Sequence, residues 1–359
     1  MNSSKKIRVG IVGVGGIANG VHIPGYLQSP DCVITALCDI DANALERGAK
    51  RCNVPAERCF KDYRDLIACD EVDAIDICTP NYIHCQIAEE AIRHKKPFSV
   101  EKPMGMNYSE TKRIYELAER EEIPNMICFS WRYRPYIRYM RSLIYDGMIG
   151  DLYHIYIRCI KDSGLIPGRK LEWRFDKTLA GSGVLGDLAS HMFDITRFIG
   201  QEFKSISADA GIILRQRKRL DSDEFGEVTT DDWCNILATM ENGINATYQI
   251  SRFATTIKDL IQVELYGKKG MMLYTYNGNT GKQTLEVSMV GDDPAKERGF
   301  LVPPESFNAV QSQAFINIVN GKDDGLSSTI KEGIICQRVI DATLKAIETK
   351  QWINISEIK

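Results

Sequence analysis

The chain has 359 residues, of which 44% are hydrophobic and 26% are charged. These ordinary fractions exclude long disorder, and the length predicts two domains or three. The net charge of −3, from 45 Lys and Arg against 48 Asp and Glu, excludes a strongly basic nucleic-acid-binding protein. The sequence has no apolar stretch of about 20 residues, so no membrane span is expected.

Eleven cysteines are scattered along the chain without a Cys-x-x-Cys pair. An odd number without a pairing pattern is typical of reduced, mostly buried thiols. The apolar run near the start is interrupted by glycines and leads directly into a predicted strand, so we interpret it as part of the fold rather than as a signal peptide. We therefore expect a cytoplasmic protein.

The first third alternates short apolar runs with amphipathic segments. The runs are rich in β-branched residues and nearly continuous in hydrophobicity, which is typical of parallel strands covered on both faces. They predict strands over 7–13, 33–39, 72–80, 97–103 and 126–131. The segments between them predict helices at roughly 17–28, 42–52, 62–69, 82–95 and 108–121. This alternation predicts an α/β fold that begins with a doubly wound parallel sheet.

The pattern changes near residue 124. A helix that ends at glycine is predicted over 132–150, and longer strand-like runs follow at 151–160, 203–214, 233–241, 244–253, 260–266, 271–276 and 284–290. Turn signals at 241–243 and 267–270 predict hairpins, the polar segment 216–232 is predicted to be a loop, and helices are predicted at 306–320 and 329–349. We predict a second α/β domain with a large, mostly antiparallel open sheet, and domains over 1–124 and 125–359.

The first predicted strand runs into a G-x-G-x-x-A pattern formed by Gly13, Gly15 and Ala18. In a strand–turn–helix context the first glycine allows a tight turn, and the second lets the backbone approach a pyrophosphate. A small third residue lets the helix pack closely on the strand. The pattern therefore predicts a dinucleotide site at a helix N-terminus. The alternative is an ordinary strand–turn–helix connection.

The second predicted strand ends at Asp39. An acid at this place accepts hydrogen bonds from the ribose hydroxyls of the cofactor and repels a 2′-phosphate. Ile40 and Asp41 follow, without a Lys, Arg or Ser to hold that phosphate, so NAD is favoured over NADP. The alternative is that Asp39 or Asp41 caps the next helix.

Two further strand ends carry polar residues. The strand over 72–80 leads into Thr79 and Asn81, which suit the nicotinamide side of such a cleft or, alternatively, a helix N-cap. The strand over 97–103 ends with Glu101, Lys102 and Pro103. The ammonium of Lys102 could hydrogen-bond a substrate hydroxyl during hydride loss, and a cis bond at Pro103 would aim it. The alternative is a solvated lysine.

The last motif places Asp187, His191 and Asp194 at i, i+4 and i+7, on one face of a helix. The Asp187 carboxylate can then reach the His191 imidazole, which is suited to take a hydroxyl proton near neutral pH. A metal site is a less favoured interpretation, and a surface ion pair is the structural alternative.

In this order and at these separations, the motifs resemble those of the Gfo/Idh/MocA family of NAD(P)-dependent oxidoreductases. Glu101-Lys102-Pro103 and the segment 186–191 are the specific part, and the likeness extends over nearly the whole chain. It implies an N-terminal Rossmann domain for NAD and a C-terminal domain whose open sheet faces a partner in a homodimer or homotetramer. No nucleic acid or membrane partner and no bound metal is expected.

The resemblance also implies residue roles. Lys102, Asp187 and His191 would be catalytic, with His191 as the general base. The expected cofactor contacts are Gly13, Gly15, Gly16, Ile17, Ala18, Asp39, Ile40, Thr79, Pro80, Asn81, His84, Glu101 and Lys102. The expected substrate contacts are these three catalytic residues with Tyr133, Arg134, Trp173 and Arg174, for which packing in the core or an interface is the alternative.

Family substrates are mostly cyclic polyols, pyranoses and their derivatives. The expected reaction transfers a hydride from a secondary hydroxyl carbon to nicotinamide as His191 accepts the proton. Arg169, Lys170 and Arg174 leave open a phosphorylated or acidic sugar. Two other functions also stay open, a glycoside-cleaving enzyme that uses NAD without net redox change and a catalytically silent NAD-binding regulator of transcription.

Overall fold

The computed structural model describes residues 6–293 and 295–359. The chain divides into two units, one formed by Met1–Phe129 with Ala309–Ile335 and the other by Ser130–Asn308 with Cys336–Lys359. Among the described residues, no helix is both long enough and apolar enough to cross a bilayer.

The strands of the first unit are β1 (Ile7–Val12), β2 (Cys32–Cys38), β3 (Cys59–Phe60), β4 (Ala74–Ile77), β5 (Phe98–Val100) and β6 (Asn125–Ile127). The strands of the second are β7 (Leu152–Ile160), β8 (Phe203–Gly211), β9 (Gln216–Lys218), β10 (Phe225–Glu227), β11 (Trp233–Met240), β12 (Asn245–Ser251), β13 (Leu260–Gly267), β14 (Gly270–Asn277), β15 (Lys282–Met289), β16 (Gly299–Leu301) and β17 (Ile353–Asn354).

The α-helices are α1 (Ile23–Gln28), α2 (Ala42–Cys52), α3 (Tyr63–Ala68), α4 (His84–Arg93), α5 (Tyr108–Arg120), α6 (Pro135–Tyr145), α7 (Lys177–Ala180), α8 (Ser190–Phe198), α9 (Gln311–Val319) and α10 (Ile330–Thr349). Short 3₁₀ segments lie at Ala56–Arg58, Asn81–Ile83, Ser130–Tyr133, Ser163–Leu165, Trp173–Phe175, Glu305–Phe307 and Ile355–Glu357. Two segments, Ala18–His22 and Leu185–Ala189, are π-helical and each continues directly into an α-helix.

The first unit is built on a parallel sheet with the strand order β3-β2-β1-β4-β5-β6. Its central strands are buried because helices cover both faces, as the continuous apolar runs predicted. The strand order reverses between β1 and β4, and ligands of such sheets bind outside the carboxyl ends of the strands at this point. The predicted doubly wound sheet is thus confirmed, with the two-residue strand β3 as an addition.

The second unit is built on a nine-stranded sheet with the order β16-β15-β14-β13-β7-β12-β11-β8-β17. Among the described strands of this sheet only the β7–β12 pair is parallel, so the predicted mostly antiparallel sheet is confirmed. The predicted hairpins join β11 to β12 and β13 to β14. The predicted loop over 216–232 instead contains a small hairpin, because β9 and β10 pair with each other in antiparallel register.

The single domain boundary predicted between residues 124 and 125 differs from the observed division. Strand β6 belongs to the first sheet, and the returning segment 309–335 is fixed beside it. The Ile127 N–H donates to the Ser328 carbonyl at 2.9 Å, and the Ser328 hydroxyl donates to the Ile127 carbonyl at 2.6 Å. The Asn125 side chain also accepts from the Ile330 N–H at 2.9 Å. Such tertiary contacts produce no periodic pattern in the sequence, so the packing of residues 309–335 in the first unit could not be predicted.

Candidate functional site

The glycine-rich turn follows β1 at the point where the strand order reverses. Gly13 has a φ of +90°, and a Cβ at this position would lie 2.7 Å from the backbone carbonyl of Cys78. Both facts require glycine. Gly15 and Gly16 are exposed, and nothing lies within 4 Å of a Cβ built on either of them. The turn therefore offers an open stretch of backbone, as phosphate binding requires.

The chain then enters the π-helical segment Ala18–His22, whose end is marked by the Ile23 N–H donating to the Ala18 carbonyl five residues earlier. Ala18 is fully buried, in agreement with the close packing predicted for the third small residue of the motif. Ile17, which precedes it, is 37% exposed. A π-helical turn is rare and frequently occurs at functional sites.

Asp39 follows β2 and is held in place by backbone groups. Its carboxylate accepts from the Val14 N–H at 2.7 Å and from the Asp41 N–H at 2.9 Å. Asp41, not Asp39, caps helix α2 by accepting from the Asn43 N–H. The capping alternative for Asp39 is therefore wrong, and its fixed carboxylate beside the glycine-rich turn retains acceptor capacity for ribose hydroxyls. Ile40 is 86% exposed.

The chain after β4 carries Thr79, Pro80 and Asn81. The Thr79 hydroxyl is buried and has no hydrogen-bond partner among the described residues, which suits a polar ligand at this strand end. Asn81 is buried. His84 is buried as well, and its ring nitrogens lie 2.8 Å from the Thr79 carbonyl and 2.9 Å from the Pro103 carbonyl. Burial lowers the pKa of His84, and the two carbonyls that face its ring oppose that shift, so the ring links the two strand ends.

The chain after β5 carries the predicted catalytic lysine. Glu101 is buried, and one of its carboxylate oxygens accepts the Lys102 backbone N–H at 3.1 Å. The other oxygen lies 2.9 Å from a ring nitrogen of His22, so this side chain points into the protein. Lys102 is half-buried, and the Lys102–Pro103 peptide bond is cis.

In the second unit, Asp231 fixes the backbone just before the motif that contains Asp187 and His191. Its carboxylate accepts from the Gly183 N–H at 2.6 Å and from the Leu185 N–H at 2.9 Å. A Cβ on Gly183 would overlap the Asp231 carbonyl, which explains the glycine. Burial raises the pKa of Asp231, and the two backbone N–H groups oppose that shift. Sequence analysis missed Asp231 because it lies in the stretch assigned to a loop.

The motif itself is not the regular α-helix that the spacing predicted. Asp187 lies in the π-helical segment Leu185–Ala189, and α8 begins only at Ser190, whose N–H donates to the Leu185 carbonyl. His191 lies in the first turn of α8 and is 9% exposed. The alternative of a surface ion pair is therefore wrong, since the imidazole is buried.

Asp194, the third acidic or basic residue of that motif, has a separate role. Its carboxylate is 1% exposed and is paired with the Arg132 guanidinium, whose Nε lies 3.0 Å from Oδ2 and whose Nη2 hydrogen-bonds Oδ1. The Arg132 group also lies 4.8 Å from the centre of the Phe198 ring. Asp194 is thus bound to a cation inside the unit, which disfavours the three-ligand metal site considered from the spacing.

The predicted substrate residues stack in two places. Arg134 lies over the rings of Trp131 and Tyr276, with its central carbon 4.8 and 5.2 Å from their centres. Arg174 lies over the Trp173 ring at 4.3 Å. Tyr133 is buried. Each guanidinium therefore has an aromatic support that restricts its orientation.

Two other cations do not present free charges. The Arg169 guanidinium binds both carboxylate oxygens of Glu172 and donates to the Ser163 carbonyl at 2.7 Å. The Lys170 ammonium donates to the Leu220 carbonyl at 3.1 Å. These contacts disfavour the suggestion that they hold a substrate phosphate or carboxylate.

A lysine and an aspartate at the end of the large sheet were missed by sequence analysis. Leu260 of β13 pairs with Ile160 of β7 in antiparallel register, which places Asp259 opposite Lys161 one step beyond. Burial lowers the pKa of Lys161, but the charges of Asp187 and Asp259 outweigh it and raise the pKa. One Asp259 carboxylate oxygen is buried without a hydrogen-bond partner among the described residues. Only the strand register could have revealed this pair.

The two units thus combine a doubly wound nucleotide-binding sheet with a large mixed sheet that carries buried acidic and basic groups, a combination found in dinucleotide-dependent oxidoreductases. Residues 7–127 match the oxidoreductase family with an NAD-binding Rossmann fold, and residues 137–273 match the GFO/IDH/MocA C-terminal domain. The chain belongs to the Gfo/Idh/MocA family, and the resemblance inferred from its motifs is confirmed.

Several relatives are named as dehydrogenases. The levoglucosan dehydrogenase of Pseudarthrobacter phenanthrenivorans is 26% identical over 82% of this chain and 79% of its own length. The myo-inositol 2-dehydrogenase of Thermotoga maritima is 22% identical over 98% of this chain and 99% of its own. A levoglucosan dehydrogenase solved in complex with NADH superposes with a TM-score of 0.88 at 23% identity, over 98% of this chain and 99% of that one, and shows the shared fold.

The residues present fit NAD, the cofactor of this family. The open backbone at Gly15 and Gly16, the fixed Asp39 carboxylate and the buried Thr79 hydroxyl supply the groups that a dinucleotide requires. The chain is therefore an NAD-binding oxidoreductase, as predicted.

Proposed function

We propose that the protein oxidises a secondary hydroxyl group of a cyclic polyol or sugar, of the inositol, pyranose or anhydrosugar type. The names of its relatives support this substrate class. The observation that carries the proposal is the buried His191 imidazole on the helical turn after Asp187, while the third carboxylate of the motif is bound by Arg132. A buried imidazole one helical turn after a carboxylate is suited to act as the general base for a substrate hydroxyl.

In the proposed reaction His191 takes the hydroxyl proton, and the carbon–hydrogen bond breaks with its electron pair to leave a carbonyl group. Asp187 orients the imidazole and stabilises its protonated form. The Lys102 ammonium hydrogen-bonds the same oxygen and favours its alkoxide character. Bound NAD supplies the hydride acceptor at its nicotinamide ring. The chain binds and orients both reactants.

Further contacts of the substrate are proposed for Tyr133, Arg134, Trp173 and Arg174. Aromatic faces suit the C–H surfaces of a sugar ring, and guanidinium groups suit its hydroxyls. Lys161 and Asp259 add a donor and an acceptor at the sheet end. Because Lys161 is balanced by two carboxylates and Arg169 is bound to Glu172, we favour a neutral polyol over a phosphorylated one.

The test is a panel of inositols, glucose, xylose, anhydrosugars and sugar phosphates incubated with the enzyme and NAD, with NADH absorbance and product analysis as readouts. NADH formation with a neutral cyclic polyol is the expected result. Glycoside cleavage without NADH accumulation would replace the proposal by the glycoside-cleaving alternative. The absence of turnover across the panel, with NAD binding retained, would favour the regulator.

We also propose that the protein is a homodimer or homotetramer that associates through the open face of the large sheet. Strand β11 alternates buried residues with outward ones, and Leu237 on the outer side is 52% exposed. Tyr153 and Tyr156 of β7 are 50% and 40% exposed. Replacing Leu237 by Lys should shift the protein toward monomer in sedimentation experiments, and an unchanged mass would contradict this surface.

A further inference from the structure

A buried cluster of charged groups lies beneath the carboxyl ends of β4 and β5 in the first unit. His22, the last residue of the first π-helical segment, is 1% exposed. Its Nδ1 lies 2.8 Å from a carboxylate oxygen of Asp76 in β4, and its Nε2 lies 2.9 Å from a carboxylate oxygen of Glu101 after β5. Neither His22 nor this pair of contacts has a part in the chemistry proposed above.

The cluster requires a protonated ring. Both ring nitrogens face carboxylate oxygens, which only accept, so both nitrogens must carry a proton. Burial lowers the pKa of His22, but the charge and hydrogen bond of Asp76 contribute to outweighing it, and the pKa is raised well above its usual value. His22 is therefore an imidazolium ion between two buried carboxylates.

The same protonation argues against a metal ion. Ligand atoms of His22, Asp76 and Cys128 lie within 4.8 Å of one another, a spacing that a metal could use. An imidazole with both nitrogens protonated has no lone pair for a metal. Burial also keeps the Cys128 thiol protonated, because it raises its pKa well above the usual value, whereas a metal needs the thiolate.

The outer ends of the cluster are tied to two functional segments. On one side, His22 belongs to the helical segment that begins at the glycine-rich turn. On the other, the second carboxylate oxygen of Glu101 accepts the backbone N–H of Lys102 at 3.1 Å. Asp76 is fixed in turn by the hydroxyl of Ser99, which donates to it, and by the Cys78 thiol at 3.5 Å. A continuous hydrogen-bonded path thus runs from the glycine-rich segment to the backbone of Lys102.

We propose that His22 is a positioning residue for Lys102, acting through Glu101. The proposal rests on the proposed function, in which Lys102 hydrogen-bonds the reacting oxygen. The His22 imidazolium lies between Glu101 and Asp76 and compensates their negative charges. It also fixes the Glu101 carboxylate, which accepts the Lys102 backbone N–H. Without that positive charge, two buried carboxylates would repel each other, and Glu101 would rotate away from Asp76. Lys102 would then lose its backbone anchor, and the reacting oxygen would lose a donor at the required distance.

The test is a double-mutant cycle on kcat with His22→Gln, Lys102→Met and the double variant. Glutamine can still donate one hydrogen bond but carries no charge. His22→Gln should lower kcat on the order of 10²-fold, the effect typical of a misplaced group, while the NAD dissociation constant and the substrate KM change by less than about threefold. In the Lys102→Met background, the same substitution should lower kcat by less than about threefold, because no ammonium remains to be positioned.

Ile114→Val is the matched control, since Ile114 is fully buried in α5 of the same unit and is not a member of the hydrogen-bonded path. It should lower the melting temperature and leave kcat within about twofold, which separates loss of packing from loss of positioning. If His22→Gln does not fold, Glu101→Gln replaces it in the cycle. The glutamine side chain has one oxygen, so it cannot accept from His22 and from the Lys102 N–H through separate oxygens. Glu101→Gln should therefore also lower kcat strongly alone and only weakly in the Lys102→Met background.

The possible outcomes are distinct. If His22→Gln lowers kcat by the same factor with and without Lys102, or lowers kcat no more than Ile114→Val does, His22 is merely structural and the inference is wrong. If Lys102→Met alone leaves kcat unchanged, the proposed role of Lys102 is wrong, and the positioning role of His22 is wrong with it. Only a large His22 effect that disappears in the Lys102→Met background supports the inference.

Discussion

Each of the two π-helical segments has a histidine at or just after its end, but the charged groups around the two histidines differ. His22 ends the first segment and is enclosed by two carboxylates, Asp76 and Glu101. His191 follows the second by two residues, and the nearest acid along the helix, Asp194, is bound by Arg132. One ring is therefore held protonated, whereas the other lies on the turn after Asp187 and is the ring that we propose as the general base.

This difference shows that a histidine at a functional motif is not identified as a base by its spacing alone. The decisive feature is the number of carboxylates that the fold directs at the ring, because each carboxylate favours the charged form. A ring between two carboxylates cannot act as a base near neutral pH, since it has no free lone pair. Substitution of each histidine tests whether the two rings differ in this way.

The largest effect is expected for His191→Ala. Turnover should fall by about 10²–10⁴-fold, the usual contribution of a general base, while the NAD dissociation constant stays within a few-fold. Steady-state kinetics and a fluorescence titration with NADH measure the two quantities. His154→Ala, on strand β7, is the control and should retain turnover within about twofold. Unchanged turnover in His191→Ala would mean that another group accepts the proton.

The surroundings of the two histidines could not be predicted from the sequence, whereas much of the fold could. Hydrophobic periodicity predicted the strands of both sheets except β3, β16 and β17. The turn signals at 241–243 and 267–270 predicted two of the hairpins, because these features depend on local side-chain alternation. The pairing of β9 with β10 and the return of residues 309–335 to the first sheet were missed. Both depend on contacts between segments far apart in sequence or on strands too short to show a period.

Within the site, the motifs predicted the glycine-rich turn, Asp39 and the acidic and basic residues of the last helix. The π-helical turns were not predicted, since their extra residue leaves the apolar pattern almost unchanged. The inward orientation of Glu101 toward His22 was missed for a related reason. The two residues lie 79 positions apart, and only the three-dimensional fold brings them within 2.9 Å.

The second largest effect is expected for the buried ion pair between Arg132 and Asp194. Arg132→Met should lower the free energy of unfolding by about 3–5 kcal/mol, because it leaves a buried carboxylate without its cation. Urea unfolding measures this loss. Arg113→Met is the control, since Arg113 pairs with Glu89 at the surface with about half of its side chain exposed, and it should cost less than about 1 kcal/mol. Equal losses in both variants would show that the buried pair does not stabilise the second unit.

A smaller effect is expected at Asp39, the acid that is predicted to discriminate between the two cofactors. Asp39→Ser should reduce the preference for NAD over NADP by about tenfold, equivalent to about 1.4 kcal/mol, because the carboxylate no longer repels a 2′-phosphate. Ratios of kcat/KM for the two cofactors give the preference. Asp41→Ser is the matched control: serine also caps a helix, so α2 is kept and the preference should not change. A wild-type preference for NADP would contradict the role of Asp39.

The smallest effect isolates the permanent charge of His22 through the pH dependence of stability. The pKa of His22 is raised in the folded protein above its unfolded value of about 6.5, so its contribution to stability is complete below that pH. The contribution is lost as pH rises through the folded pKa. Between pH 7 and 8 the free energy of unfolding of the wild type should therefore fall more steeply than that of His22→Gln.

The difference in slope should approach about 1.4 kcal/mol per pH unit, the value for one proton. Urea unfolding at closely spaced pH values measures it, and titration of the cysteines cancels in the comparison because both proteins contain the same cysteines. His94→Gln is the control, because His94 is 38% exposed beside Glu90 and should leave the slope unchanged. If the wild type and His22→Gln lose stability at the same rate, the ring is neutral in the folded protein. The two histidines would then share a protonation state, and their different surroundings would not explain a difference in role.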